Sequence, residues 1–256
     1  MPGAGAAAAA RWVAEAEDVV KRFGRFSVLE GVSFRVAPGE ALAVFGPNGA
    51  GKTTLLKIVA TLLRPSGGRV RLFGSELEPA DVRRRVGFLS HESFVYADLT
   101  PRENLRFYAR AFGLAAPEKR IAALIARVGL SGWEDVPVRC FSRGMEQRIA
   151  LARAFLHEPD LLLLDEPYSG LDAQAVVLLS GLLAEARAAG KAIILTTHDI
   201  TLGLRACSRA LILSRGRVAR EWTDAVPSVE EFLDVYGGVV EQRRPKPLSA
   251  AATRGG

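Results

Sequence analysis

The spacing of hydrophobic and polar positions changes character twice along the chain. Over residues 13–45, short runs of alternating apolar and polar residues are separated by Gly24, Gly31 and Pro38-Gly39. They predict strands at 13–20, 32–36 and 41–45, read as antiparallel strands feeding a central one. Over 55–63 the apolar residues recur at helical spacing. Pro65-Ser66-Gly67-Gly68 then predicts a turn into a strand at 69–73, and Arg83-Arg84-Arg85 a basic helix end running into a short strand at 86–89.

Between Thr100 and Pro159 the pattern becomes helical. Leu105, Tyr108 and Phe112, then Ile121, Leu124, Ile125 and Val128, recur every three or four residues, with breaks at Gly129, Gly132 and Pro137. Thr100-Pro101-Arg102-Glu103 has the form of a capped helix start, with Thr as N-cap, Pro at the first position and Glu at the third. Leu161-Leu162-Leu163-Leu164 returns to a continuous apolar run, as suits a strand buried on both faces. A helix at 173–189, a strand at 192–196, a helix past Asp199 and a strand pair at 210–214 and 217–220 complete the pattern. Strands alternating with helices imply an α/β fold with a mostly parallel sheet covered on both faces, interrupted by a helical insertion.

Composition narrows the picture only slightly. The 256 residues are 49% hydrophobic, which is globular, and no run approaches the roughly 18–20 apolar residues of a membrane span. Residues 1–11 read as a flexible, Ala-rich extension rather than a signal peptide, and 237–256 as a flexible basic tail. Cys140 and Cys207 belong to no C-x-x-C and are expected as free thiols. The formal charge of +6 fits nucleic acid, anionic lipid or a solvated basic surface without choosing among them.

The chemistry begins at Gly46-Pro47-Asn48-Gly49-Ala50-Gly51-Lys52-Thr53-Thr54, a G-x-x-x-x-G-K-[ST] match between a predicted strand and a predicted helix. Glycines let the backbone curl so that successive N–H groups point inward, and the helix adds its positive end. That geometry suits a triphosphate: Lys52 reaches the β- and γ-phosphates, and the Thr53 hydroxyl sits on Mg²⁺. Asp165 and Glu166 follow the leucine run, at the strand end where α/β sheets place ligand sites. Asp165 is expected to anchor Mg²⁺ and Glu166 to polarise the attacking water. Ser142 is a natural N-cap and Gly144 permits close approach to a ligand, so a second anion site is expected at that helix start.

Taken in order, the phosphate loop, Ser142-Arg143-Gly144-Met145, Asp165-Glu166, Ser169-Gly170-Leu171-Asp172 and Thr196-Thr197-His198-Asp199 resemble the motifs of ATP-binding cassette (ABC) transporter ATPases, over residues 14–236. The resemblance implies a P-loop NTPase fold, with a RecA-like, mostly parallel sheet, an antiparallel β subdomain and a helical subdomain at about 93–158 within a domain spanning 12–236. It implies ATP and Mg²⁺ as ligands, and a homodimer that forms on ATP binding and shares the nucleotides between phosphate loop and signature helix. The expected partner is a separate integral membrane permease, which would hold the chain at the cytoplasmic face of the inner membrane. By the same resemblance Phe23, with Phe26 as substitute, stacks on adenine; Asp172 links the two active sites; and His198 contacts the γ-phosphate and holds Glu166 in line.

The sequence departs from the family at two places. In the L-S-G-G-Q signature, Phe141, Arg143 and Met145 replace Leu, the first Gly and Gln, while Ser142 and Gly144 are kept. The Q-loop glutamine is missing, and His91 followed by Glu92 stands there instead, either being a further candidate at Mg²⁺. The stretch from His91 to Tyr108 and the Ser-Arg-Gly-Met signature look most like the ATPase of bacterial haem exporters used in cytochrome c maturation, a signature shared by drug, antibiotic and sodium exporters. ABC-type ATPases that act on nucleic acid usually carry two cassettes or coiled-coil arms. This chain has one cassette and no heptad run, so no nucleic acid partner is expected.

Overall fold

The computed structural model describes residues 12–74, 79–90 and 92–241. The expected extension at 1–11, residues 242–256 of the expected tail, and His91 lie outside the described residues.

The fold begins with strands β1 (Ala14–Phe23) and β2 (Phe26–Val36), followed by β3 (Ala41–Phe45), α1 (Lys52–Val59) and β4 (Gly67–Leu72). Next come α2 (Pro79–Arg85), β5 (Val86–Leu89), α3 (Pro101–Ala111), α4 (Glu118–Arg127) and α5 (Arg143–Phe155). Then follow β6 (Leu161–Asp165), α6 (Ala173–Ala188), β7 (Ala192–Thr196), α7 (Ile200–Ala206), β8 (Arg209–Ser214), β9 (Arg217–Trp222) and α8 (Val229–Glu241).

Two sheets form. One is antiparallel, in the order β2-β1-β4; the other runs β5-β6-β7-β3-β8-β9 and is parallel except for β9. This corrects the expectation for 41–45: β3 is not part of the antiparallel set but lies between β7 and β8, parallel to both. Its position follows from burial, since all five residues are buried and an edge strand facing solvent could not be apolar on both faces. The predicted break at Gly31 is also absent. Gly31 (φ 77°) lies inside β2, where Val19 pairs with Val32 but Val20 with Glu30, so it is the extra residue of a β-bulge.

The parallel sheet separates two buried clusters, and strand alternation assigns its side chains to them. Ala41, Ala43, Phe45, Leu162 and Leu164 pack with α3–α6 on one face. Leu42, Val44, Leu161 and Leu163 pack with α1 and the antiparallel sheet on the other. α3 starts as its sequence indicates: Thr100 accepts from the Glu103 N–H, Glu103 returns the bond to the Thr100 N–H, and Pro101 is at the first position. α1 begins and ends earlier than the apolar spacing predicts. Lys52 opens it, and Thr61 takes a left-handed conformation (φ 58°) just past its end. α8 continues through Glu241, so residues 237–241 of the expected flexible tail are helical.

Candidate nucleotide site

Three strand ends set the site. β3, β6 and β7 are consecutive in the sheet, with Val44 and Asp165 both in register with Thr196, so the phosphate loop and the two carboxylates leave the same edge. Gly46 must be glycine there, because a Cβ would lie 2.2 Å from the Leu213 carbonyl oxygen of β8. Gly51 (φ 105°) is similarly enclosed, with Leu29 Cδ2 and Val28 O at 2.7 and 2.9 Å from the place of a Cβ. Ala50 N–H closes the curl by donating to Pro47 O at 3.1 Å. Gly51 offers no side chain to cap α1, and the first turn carries no acidic residue, so the positive end of the helix is not met by a carboxylate of its own. Lys52 is buried and folded back over this curl, its Nζ donating to Gly46 O at 2.7 Å.

Across from it, Asp165 is buried at the end of β6 and its Oδ1 accepts from the Thr196 hydroxyl at 2.6 Å. Glu166 has left-handed backbone geometry (φ 51°), a strain of order 1 kcal/mol or more for a non-glycine residue. Its N–H holds that turn by donating to both the carbonyl and the hydroxyl oxygen of Thr196, each at 3.1 Å. The side chain is fixed as well. Glu166 Oε2 accepts the His198 backbone N–H at 3.1 Å and lies 2.8 Å from His198 Nδ1, while Oε1 lies 3.9 Å from Lys52 Nζ. Nδ1 faces the carboxylate, and Nε2 is left on the other side of an exposed ring.

The start of α5 is tied to the loops after both carboxylates. Ser142 is the N-cap, accepting from Met145 N–H at 3.3 Å, and Glu146 Oε1 accepts from the Ser93 hydroxyl at 2.5 Å. Gln147 donates to Pro167 O at 2.8 Å, and Arg148 pairs with Asp172 at 3.2 Å. Asp172 in turn caps α6 through Ala175 N–H at 2.7 Å. A cavity of about 100 Å³ lies between these elements, bounded by Arg143, Glu146, Gln147, Asp165 and Glu166.

The structure thus brings together Lys52, Asp165, Glu166 and His198. Ser142, Gly144 and Asp172 are held on the neighbouring helix starts, and Ser142 and Asp172 are exposed there. Phe23 lies at the tip of the β1–β2 hairpin, 47% exposed, with Lys21 Nζ 4.9 Å from its ring centroid, and Phe26 is 79% exposed. Among the described residues no recorded contact joins either ring to the phosphate loop. Glu92 is exposed and does not bound the cavity, although Ser90 and Ser93 on either side of it do, so the structure does not bring Glu92 to Asp165. Sequence reasoning missed Thr196, Ser93, Glu146, Gln147 and Arg148. Only Thr196 carried a local sign, a hydroxyl closing an otherwise apolar buried strand.

The donor set fits magnesium. Among the described residues Asp165 accepts hydrogen bonds on Oδ1 alone, leaving Oδ2 free, and the Thr53 hydroxyl is on an exposed residue at the loop's end. No group of three or more His, Cys, Asp or Glu among the described residues could cage a metal.

The sequence profile described as ABC transporter matches residues 29–169. The chain belongs to the ABC transporter family. Among curated ABC proteins, Nod factor export ATP-binding protein I of Paraburkholderia xenovorans is 37% identical over 92% of this chain and 78% of its own length. Among solved structures, an ATP-binding subunit of an ABC transporter is 32% identical with a TM-score of 0.79, covering 90% of this chain and 97% of that one. A dimeric ATP-binding cassette in a post-hydrolysis state, bound to ADP and Pi, is 26% identical with a TM-score of 0.73, covering 82% of this chain and 98% of that one. The fold is therefore that of an ABC ATPase domain, the P-loop NTPase fold that the sequence implies, and such a domain binds ATP.

Proposed function

We infer that this chain is the ATP-hydrolysing subunit of an exporter, closing as a homodimer over two MgATP to drive a separate membrane permease. The observation that carries the reading is the double hold of His198 on Glu166 beside Lys52. Oε2 is occupied by two donors, so Oε1 is the atom left to take the proton from water attacking the γ-phosphate. Lys52 is poised to exchange the Gly46 carbonyl for β- and γ-phosphate oxygens, removing its ammonium from Oε1 as the base is needed. His198 Nε2 is the ring atom left to face the γ-phosphate. Mg²⁺, held by the Thr53 hydroxyl and Asp165, would neutralise charge on the phosphates. Ser142 and Gly144 head a second set of helix N–H groups that no recorded contact joins to the chain's own phosphate loop, which supports their use by a second copy.

No helix among the described residues is long and apolar enough to cross a membrane, so the transport path in this reading belongs to another polypeptide, with this chain peripheral to the membrane. The relative's name speaks of export and supports that direction. Nothing in the site or in these relatives favours haem over another cargo, whose contacts would lie in the permease. Light scattering of the Glu166→Gln variant with MgATP tests the dimer: doubling of the mass on adding nucleotide is expected, and a monomer at saturating MgATP overturns it.

A further inference from the structure

Phe45 closes β3 and is followed at once by Gly46, so its ring stands at the root of the phosphate loop. The ring is buried, and two helices close on it. From α7, Gly203 comes so near that a Cβ there would lie 2.6 Å from Phe45 Cε1 and Cζ and 2.6 Å from Thr197 Cγ2. Gly203 is inside a helix and has no positive φ, so glycine is required for space and not for conformation. From α8, Phe232 meets the same ring at 4.6 Å between centroids, and is itself backed by Trp222 at 5.3 Å and Tyr236 at 5.8 Å. α8 carries the poor helix formers Gly237 and Gly238, so its place depends on this docking more than on propensity.

α7 begins just past His198. Thr197 Oγ1 accepts the Asp199 N–H at 3.0 Å, and Asp199 caps α7 through the Leu202 N–H at 2.8 Å, so the turn that carries His198 moves with the helix. The phosphate loop is braced separately. Gly46 is enclosed by Leu213 O of β8, and Ala50 O accepts the Gly216 N–H at 3.2 Å. Space opened beside Phe45 is therefore taken up by α7 rather than by the loop.

We propose that Phe232 is a positioning residue for ATP hydrolysis, pressing Phe45 against Gly203 so that α7 holds His198 on Glu166. It touches no reacting atom and acts only through these neighbours. This rests on the roles of Glu166 and His198 inferred above and adds what sets their spacing. The contact at stake is 2.8 Å long, and a displacement of about 1 Å at a catalytic group can cost about a hundredfold in rate. Binding of MgATP, which the separately braced loop supplies, should change little.

The variants are made in the full chain. Phe232→Leu removes the ring and keeps an apolar side chain, and Phe34→Leu, in the other buried cluster, is the matched loss of a buried ring. Hydrolysis is followed at a temperature where thermal melts show both to be folded. Phe232→Leu should lower kcat about tenfold and leave the half-saturating MgATP within about twofold, whereas Phe34→Leu should alter neither. Wild-type kcat in Phe232→Leu, or an equal loss in Phe34→Leu, overturns the proposal. Gly203→Ala pushes α7 from the same ring and provides a second variant should Phe232→Leu not fold; it too should lose kcat at constant half-saturation, and an unchanged kcat counts against the proposal in the same way. The chain has three histidines, so selective ¹⁵N labelling resolves the His198 ring. In Phe232→Leu its Nδ1 signal should move toward its position in Glu166→Ala, where the carboxylate is absent, and a wild-type His198 signal overturns the proposal. Glu166→Gln separates this from the reading beneath it. Turnover lost there but intact in Phe232→Leu sinks the positioning role alone, whereas turnover retained in Glu166→Gln sinks both.

Discussion

Thr196 and Asp165 face each other across β6 and β7, and the Thr196 hydroxyl donates to Asp165 at 2.6 Å while its oxygen accepts the Glu166 N–H at 3.1 Å. One fully buried side chain thereby positions both carboxylates. Thr196→Val keeps the shape and removes the hydroxyl, leaving a buried carboxylate oxygen and a strained N–H short of a partner. A stability loss of about 1–3 kcal/mol is expected. ATP turnover should fall by about tenfold or more, since Glu166 loses one hold on its left-handed turn. Denaturant melts and steady-state ATPase assays check this, with Thr196→Ser recovering both. Wild-type turnover in the valine variant would mean that the Thr196 carbonyl alone suffices.

Lys52 Nζ donates to Gly46 O, so Lys52→Ala removes an ammonium from a buried position already satisfied by the loop. The unliganded protein should melt close to wild type. The MgATP-induced shift, about 2.7 kcal/mol for a ligand at one hundred times its Kd, should vanish. Thermal melts with and without nucleotide decide it, and a retained shift would move the phosphate contact elsewhere.

How much of this could be read from the chain depends on how local each feature is. The phosphate loop, the Thr100 capping box and the Ser142 cap are contained in a few consecutive residues, and each appears where the pattern places it. The partner of β3 is not local: an apolar five-residue run looks the same in either sheet, and only its burial on both faces shows that it lies inside a parallel one. Gly31 failed for a related reason, since a glycine signals a turn or a bulge equally well and the register decides. Ser93, Gln147 and Arg148 could not be found because their partners, Glu146, Pro167 and Asp172, are reached only after folding.

The missing glutamine of the loop after β5 is where sequence and geometry diverge most. Glu92 is exposed and outside the cavity, so Glu92→Gln should leave turnover unchanged. Ser93→Ala is expected to matter more, because it severs the 2.5 Å bond that fastens this loop to Glu146 on α5. Amide exchange at residues 92–95 and in the first turn of α5 should accelerate together in Ser93→Ala and remain slow in Glu92→Gln. Equal exchange in both variants would show that the loop is held by its backbone alone.

His157 supplies a pH dependence with a definite sign. Its ring stacks on Phe112 at 3.9 Å, Nε2 lies 3.1 Å from Val86 O, and Nδ1 is enclosed without a partner. Burial, reinforced by the charges of Arg120 and Arg153, pushes its pKa down from 6.5 to about 4. The unfolded chain therefore binds this proton over a window in which the folded chain does not, so acid favours unfolding. Stability should be full above pH 6.5 and decline as pH falls toward 4, by about 3 kcal/mol at most from this residue. Carboxylates add their own acid sensitivity, so the quantity to measure is a difference. In urea melts between pH 4.5 and 7.5, His157→Gln, which can still donate to Val86 O, should be nearly level where the wild type falls. Parallel slopes in the two proteins would mean that the ring is protonated in the folded state, with water reaching Nδ1.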